Sequence, residues 1–147
     1  MLLAVLHVVM TDVSGEAVET NTEIVRRLYE SFAEGDIDAV RTLVDPDVEL
    51  REPQGIVGGG TIRGFDEIVE NVFEGLANDW EDVSVTPERF VAEAETVVAL
   101  LTWSGTYRAT GKSVTYRGAH VFDFEDGAVV RWTSYADTAL FNAALED

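Results

Sequence analysis

Residues 113–137, SVTYRGAHVFDFEDGAVVRWTSYAD, decide the fold. Asp126-Gly127 sits between two apolar runs, the strongest short-range signal for a tight β-hairpin. Before it, the even positions Val114, Tyr116, Gly118, His120, Phe122 and Phe124 form one mostly apolar face, and Ser113, Thr115, Arg117, Ala119, Val121 and Asp123 form the other. That alternation predicts a strand over 113–125 with His120 as the one imidazole on its apolar face. A second strand follows over 128–136. Upstream, β-branched and aromatic runs predict strands over 81–92 and 95–108, with breaks at 93–95 and 110–112. Val97, Ala99, Leu101 and Trp103 alternate with Val98 and Leu100, so the strand over 95–108 is apolar on both faces.

The N-terminal half reads differently. Thr20-Asn21-Thr22-Glu23 is a capping box, followed at helical spacing by Ile24, Val25, Leu28 and Phe32, with Gly35 as the stop. Asp36 caps a second, shorter helix ended by Asp45-Pro46. Val48 to Glu52 is a short extended piece. Gly55 to Gly60 (GIVGGG) is a loop, read as a mobile flap, and Phe65, Ile68, Val69, Val72, Phe73 and Leu76 mark a third helix. Asp137 caps a final helical turn. Helices gathered ahead of hairpin-linked strands indicate an α+β fold, a curved antiparallel sheet wrapping three helices around an apolar pocket.

One domain fits in 147 residues. Residues 20–147 form it. The tail over 1–19 is expected to be a flexible extension, and the opening MLLAVLHVVM is too short to span a bilayer and fits translation starting at Met10. Against 28 acids stand nine Arg and one Lys, a formal net charge of −18. Such a field disfavours nucleic acid and anionic membrane surfaces as partners. Acids spread along the whole chain, with almost no Lys, fit a cytoplasmic protein of molar salt, where the Debye length is about 3 Å. The absence of cysteine rules out disulfides and thiolate chemistry.

Three stretches resemble the SnoaL-like polyketide cyclases and ketosteroid isomerases of the NTF2-like superfamily. They are residues 29–44 (YESFAEGDIDAVRTLV), residues 45–53 (DPDVELREP) with Arg63-Gly64-Phe65 after them, and residues 120–140 (HVFDFEDGAVVRWTSYADTAL). The likeness runs over roughly 20–145. It implies a cone-shaped fold that hosts isomerases, cyclases and silent binding modules alike. It also implies site residues. Glu52 falls where the isomerases hold the proton-shuttling carboxylate. His120 falls where they hold a protonated aspartic acid and where the cyclases commonly show histidine. Asp137 matches a carboxylate that cyclases present after the last strand. The isomerases' first-helix tyrosine falls at Leu28, one residue from Tyr29, which departs from the isomerase pattern.

The resulting candidates are Asp137, His120 and Glu52 for chemistry, with Tyr135, Tyr116, Phe122, Trp132, Phe32 and Leu28 against a small apolar substrate. Each has a plainer reading. His120 suits a satisfied core histidine, Asp137 a helix cap, and Glu52 a surface carboxylate paired with Arg51 or Arg63. Leu50 and Glu52 share one side of their strand, Glu49 and Arg51 the other, which turns Glu52 inward. A desolvated carboxylate beside a hydrogen-bond donor suits proton abstraction α to a carbonyl. No cofactor is expected: Gly58-Gly59-Gly60 lacks the Lys-Ser/Thr of a phosphate loop, and Leu50 occupies the position a calcium loop reserves for Gly. The doubly apolar strand predicts a homodimer.

Overall fold

The computed structural model describes residues 19–147, so the expected N-terminal extension lies, but for Glu19, outside the described residues. Helix α1 spans Asn21–Ala33 and α2 spans Ile37–Arg41. Their caps are the ones the sequence supplies: Thr20 Oγ1 accepts from the Glu23 amide at 3.2 Å, and Asp36 Oδ1 accepts from the Ala39 amide at 3.1 Å. Strands β1 (Val44–Glu52) and β2 (Gly60–Arg63) follow. The third helix is continuous over residues 65–79 but not uniform. An α-turn, α3 (Phe65–Ile68), passes through a π-helical turn at Val69–Phe73 into α4 (Glu74–Asp79). Strands β3 (Trp80–Glu93), β4 (Thr96–Tyr107), β5 (Ser113–Glu125) and β6 (Ala128–Tyr135) lead to the closing helix α5 (Thr138–Leu145).

The six strands make one sheet in the order β2-β1-β6-β5-β4-β3. Four neighbouring pairs are antiparallel; the fifth, β1 with β6, is parallel and joins the first and last strands of the chain. Asp126 and Gly127 both take positive φ, 50° and 79°, as the expected two-residue hairpin turn requires. Register shifts within β3, along β1 and between β5 and β6 bend the sheet, as bulges do. On its concave side α1 packs against β3 and β4 through Ile24, Val25, Leu28 and Tyr29, all buried. Burial of these side chains and of Phe65, Ile68, Val97, Phe122 and Val129 supplies the main hydrophobic drive.

Two strand expectations need correction. Asp45-Pro46 does not close off the segment before β1; the strand begins at Val44 and carries the proline across the irregular stretch between Val44 and Glu49, where it leaves the regular ladder. Gly60, read as the end of a loop, instead opens β2 (residues 60–63) at the sheet edge, paired through Glu49↔Arg63 and Glu52↔Gly60. The segment between β1 and β2 is also tied down. Asn142 of α5 donates to the Gly55 carbonyl at 2.7 Å and accepts from the Val57 amide at 3.0 Å, and a Cβ on Gly59 would sit 1.9 Å from the Pro53 carbonyl oxygen.

Candidate functional site

Strand alternation decides which side chains meet inside the cone. From β5, Tyr116 and His120 point to the concave side; from β1, Leu50 and Glu52 do so. On β6 a bulge sets the phase. Phe124 pairs with Val129, but Asp123 pairs with Arg131, leaving Val130 as the extra residue. Beyond it, Trp132 and Ser134 face inward while Arg131, Thr133 and Tyr135 face outward. Ser134 is in register with His120 on one side, and Thr133 pairs with Arg51 on the other. Glu52, Ser134 and His120 therefore form a row across three adjacent strands, with the outer two backbones about 10 Å apart.

This row lies on a cavity of about 300 Å³. Leu28, Tyr29 and Phe32 of α1 roof it, Phe73 and Leu76 close one side, and Trp80, Trp103, Tyr116, Trp132 and Phe141 supply aromatic walls. The mouth is edged by Ile56 and Val57 of the tethered loop and by Asn71 and Asp79 of the third helix. The Trp132 indole N–H has no hydrogen-bond partner among the described residues.

Tyr29 Oη lies 2.7 Å from His120 Nδ1, and the two rings are nearly parallel, 6° apart in plane. Burial lowers the His120 imidazole to about 3, so it is neutral at physiological pH. Burial pushes the Tyr29 phenol far above its ordinary value, so it keeps its proton. Glu52 is raised by desolvation, partly offset by a hydrogen bond from Ser134. Tyr116 is raised first by burial and then by the charges of Glu52 and Asp137.

No arginine offsets Glu52. Arg51 Nε donates to Glu49 Oε1 at 2.7 Å and Arg63 reaches Glu49 Oε2 at 3.3 Å, both on the opposite side of β1. The Arg51 hydrogen bond holds the Glu49 carboxyl below its usual range. The arginine-paired carboxylate that the sequence allows at Glu52 is thus Glu49.

The other candidates divide. Leu28, Phe32, Tyr116 and Trp132 line the cavity with Glu52 and His120. Phe122 does not; it is fully buried behind the wall, edge-on to Tyr29 and packed on Trp132. Tyr135 and Asp137, expected at the pocket, lie outside it. Tyr135 is 60% exposed on the outer sheet face, where the β6 bulge turns it, and Asp137 is exposed and caps α5 by accepting from the Leu140 amide at 3.0 Å. Asp137→Ala is accordingly expected to cost about 1 kcal/mol of stability in a denaturant titration, whereas Asp137→Asn, which keeps the cap, costs little. Sequence reasoning passed over Tyr29, Ser134 and Asp79. Tyr29 was accessible to it: it sits four residues after Val25 and extends the buried stripe of α1.

The SnoaL-like domain family matches residues 25–132. The chain is a SnoaL-like protein. Solved structures agree. An NTF2-like protein of Burkholderia thailandensis is 33% identical with a TM-score of 0.85, over 88% of this chain and 100% of that one. One from Burkholderia pseudomallei is 28% identical with a TM-score of 0.81, over the same shares. TerC, crystallised with polyporic acid, is 26% identical with a TM-score of 0.79, over 86% of the SnoaL-like chain and 98% of its own. No curated protein matches. Among the described residues of the SnoaL-like domain, no three His, Asp or Glu side chains converge as a metal site would need, and no helix is long and apolar enough to cross a membrane.

Proposed function

We propose that the cavity binds a small, flat, largely apolar carbonyl compound and abstracts a proton α to the carbonyl, as a cofactor-free isomerase or cyclase does. The observation that carries this reading is the row Glu52–Ser134–His120 on one aromatic-walled cavity, with a desolvated carboxylate at one end and a neutral imidazole at the other. In this reading Tyr29 is the donor to Nδ1, 2.7 Å away, so the imidazole proton sits on Nε2 and is available to the substrate. The Glu52 carboxylate takes the proton as the C–H bond breaks. The electron pair moves onto the carbonyl oxygen, which gains negative charge and accepts from His120 Nε2–H. Return of the proton from Glu52 to a different carbon completes an isomerisation; attack of the carbanion on a second carbonyl in the same molecule, whose oxygen then takes the proton back from Glu52, completes a cyclisation.

Deuterium uptake at carbon tests this. A panel of small β,γ-enones and β-dicarbonyls in D₂O should exchange above buffer. The rate should rise with pH through an inflection above the ordinary carboxylate range, the signature of a buried base. Exchange at the buffer rate across the panel would leave the cavity as a binding pocket without this chemistry.

The outer sheet face supports a second proposal, pairing of two copies in a homodimer. Val91, Leu100 and Tyr135 are 45%, 39% and 60% exposed there. Arg89 and Arg117 border the same shallow hollow as Glu88 and Asp137, and neither arginine forms an ion pair among the described residues. A two-fold axis through such a face can set each arginine against the other copy's acids. Sedimentation equilibrium should give a dimer that Leu100→Glu converts to monomer; a wild-type monomer at every salt concentration overturns the pairing. The charge of −18 fits a cytoplasm of high salt, where screening removes the self-repulsion.

A further inference from the structure

The residues that line the cavity include two acids, the largely buried Glu52 and the exposed Asp79, and no lysine or arginine. In a protein of formal charge −18 this walls the pocket against anions. Asp79 adjoins an aromatic cluster on this lining. Trp80, next in sequence to Asp79, packs 5.0 Å from Trp103 and 5.0 Å from Phe141; Trp103 lies 5.6 Å from Phe141 and 5.4 Å from Tyr116, and all four line the cavity. The Asp79 carboxylate has no ion pair among the described residues, and the nearby Arg108, whose amide donates to the Asp79 carbonyl, directs its guanidinium to Glu81 at 3.2 Å. A cavity walled by aromatic rings, whose lining holds an acid with no ion pair among the described residues and no basic residue, suits an alkylated ammonium group. The rings offer negative quadrupole faces, and the alkyl groups avoid the desolvation a bare ammonium would suffer.

We propose that the part of the cavity beside Asp79 is a subsite for an organic cation, a tertiary or quaternary ammonium group, held between the Trp80–Trp103–Phe141 cluster and Asp79. The ligand class is then an aromatic or alicyclic carbonyl compound carrying an alkylammonium group, its carbonyl end reaching Glu52 and His120. The subsite rests on the cavity's being a ligand pocket, and it does not depend on Glu52 acting as a base.

The test uses three probes of one shape: 3-hydroxyphenyltrimethylammonium, its neutral isostere 3-tert-butylphenol, and 3-hydroxybenzenesulfonate. Binding is read from quenching of the tryptophans, all three of which line the cavity. At about 0.2 M salt, where long-range attraction is screened, the cation should bind about tenfold tighter than its isostere, as a cation–π contact with a carboxylate implies, and the sulfonate should not bind. Asp79→Asn should collapse that preference to about twofold. Glu93→Gln, which removes an equal charge from an exposed acid outside the cavity, should preserve it. Equal binding of cation and isostere, or a preference unchanged in Asp79→Asn, overturns the subsite and leaves the pocket standing. Quenching by none of the three overturns the pocket as well.

Discussion

Glu52→Gln is expected to lose proton-abstraction activity by 10²- to 10⁴-fold, the usual worth of a positioned general base, and to melt at a higher temperature than the wild type at neutral pH. Burial raises the Glu52 carboxyl above its ordinary value, so the folded chain holds that proton more tightly than the unfolded chain does. The group's contribution to stability is fully present below the unfolded pKa and is lost as pH rises through the raised folded value. Glutamine has the same shape and no charge at any pH, so it lacks the penalty. The gap in melting temperature should therefore be widest near neutrality and close as pH falls toward about 4, where wild-type Glu52 is protonated in both states. Paired melts across that range check it. A variant that melts below the wild type at every pH would mean that the carboxylate is well solvated, and the reading of Glu52 as a desolvated base would fail. Gaining stability while losing activity is the pattern of a residue kept for function.

The second large effect belongs to the Tyr29–His120 pair. His120 is lowered to about 3 in the folded chain, well below its unfolded value of 6.5. Its contribution to stability is therefore present above about pH 6.5 and is lost progressively as pH falls toward 3, as the unfolded state takes up a proton the folded state refuses. Other groups push the opposite way, because protonating surface carboxylates relieves the self-repulsion of the −18 chain. The comparison must accordingly be with His120→Gln, which shares every other titration. The stability difference between wild type and variant should shrink by a few kcal/mol, on the order of what a shift of this size implies, between pH 6.5 and about 4. Tyr29→Phe tests the other partner. It removes the 2.7 Å bond to Nδ1 and leaves a buried ring nitrogen unpaired, at a cost of about 1–3 kcal/mol. Because the phenol fixes the imidazole proton, Tyr29→Phe should lower kcat by about tenfold or more with KM little changed. A rise in KM alone would make Tyr29 a wall of the pocket and nothing more.

Much of this architecture was legible locally. Asp126-Gly127 announced its hairpin, Thr20, Asp36 and Asp137 announced helix starts, and the two-residue period of 113–125 placed Tyr116 and His120 on the concave side. What was hidden is non-local. The extra residue at Val130 reverses which positions of β6 face inward, so that Tyr135 turns outward and Ser134 enters the pocket. No short-range signal marks that bulge, since its cause is the pairing of β6 with β5. The parallel pairing of β1 with β6, which brings Glu52 beside Ser134, joins residues about eighty positions apart and leaves no trace in either segment. β2 is four residues long and opens on Gly60, too short to stand out beside the glycine-rich loop before it. Tyr29 was overlooked for a different reason: alignment of the isomerase tyrosine with Leu28 drew notice one position away from the residue that the helix turns inward. The π-turn at Val69–Phe73, which carries Asn71, Val72 and Phe73 to the cavity, likewise follows from packing that the apolar spacing alone does not reveal.

Deuterium uptake at carbon, compared between the wild type, Glu52→Gln and Asp137→Asn on one exchanging substrate, bears most directly on the assignment of the base. If Glu52 is that base, the first substitution abolishes exchange and the second leaves it at the wild-type rate. Exchange that survives Glu52→Gln, or that disappears with Asp137→Asn, contradicts the assignment.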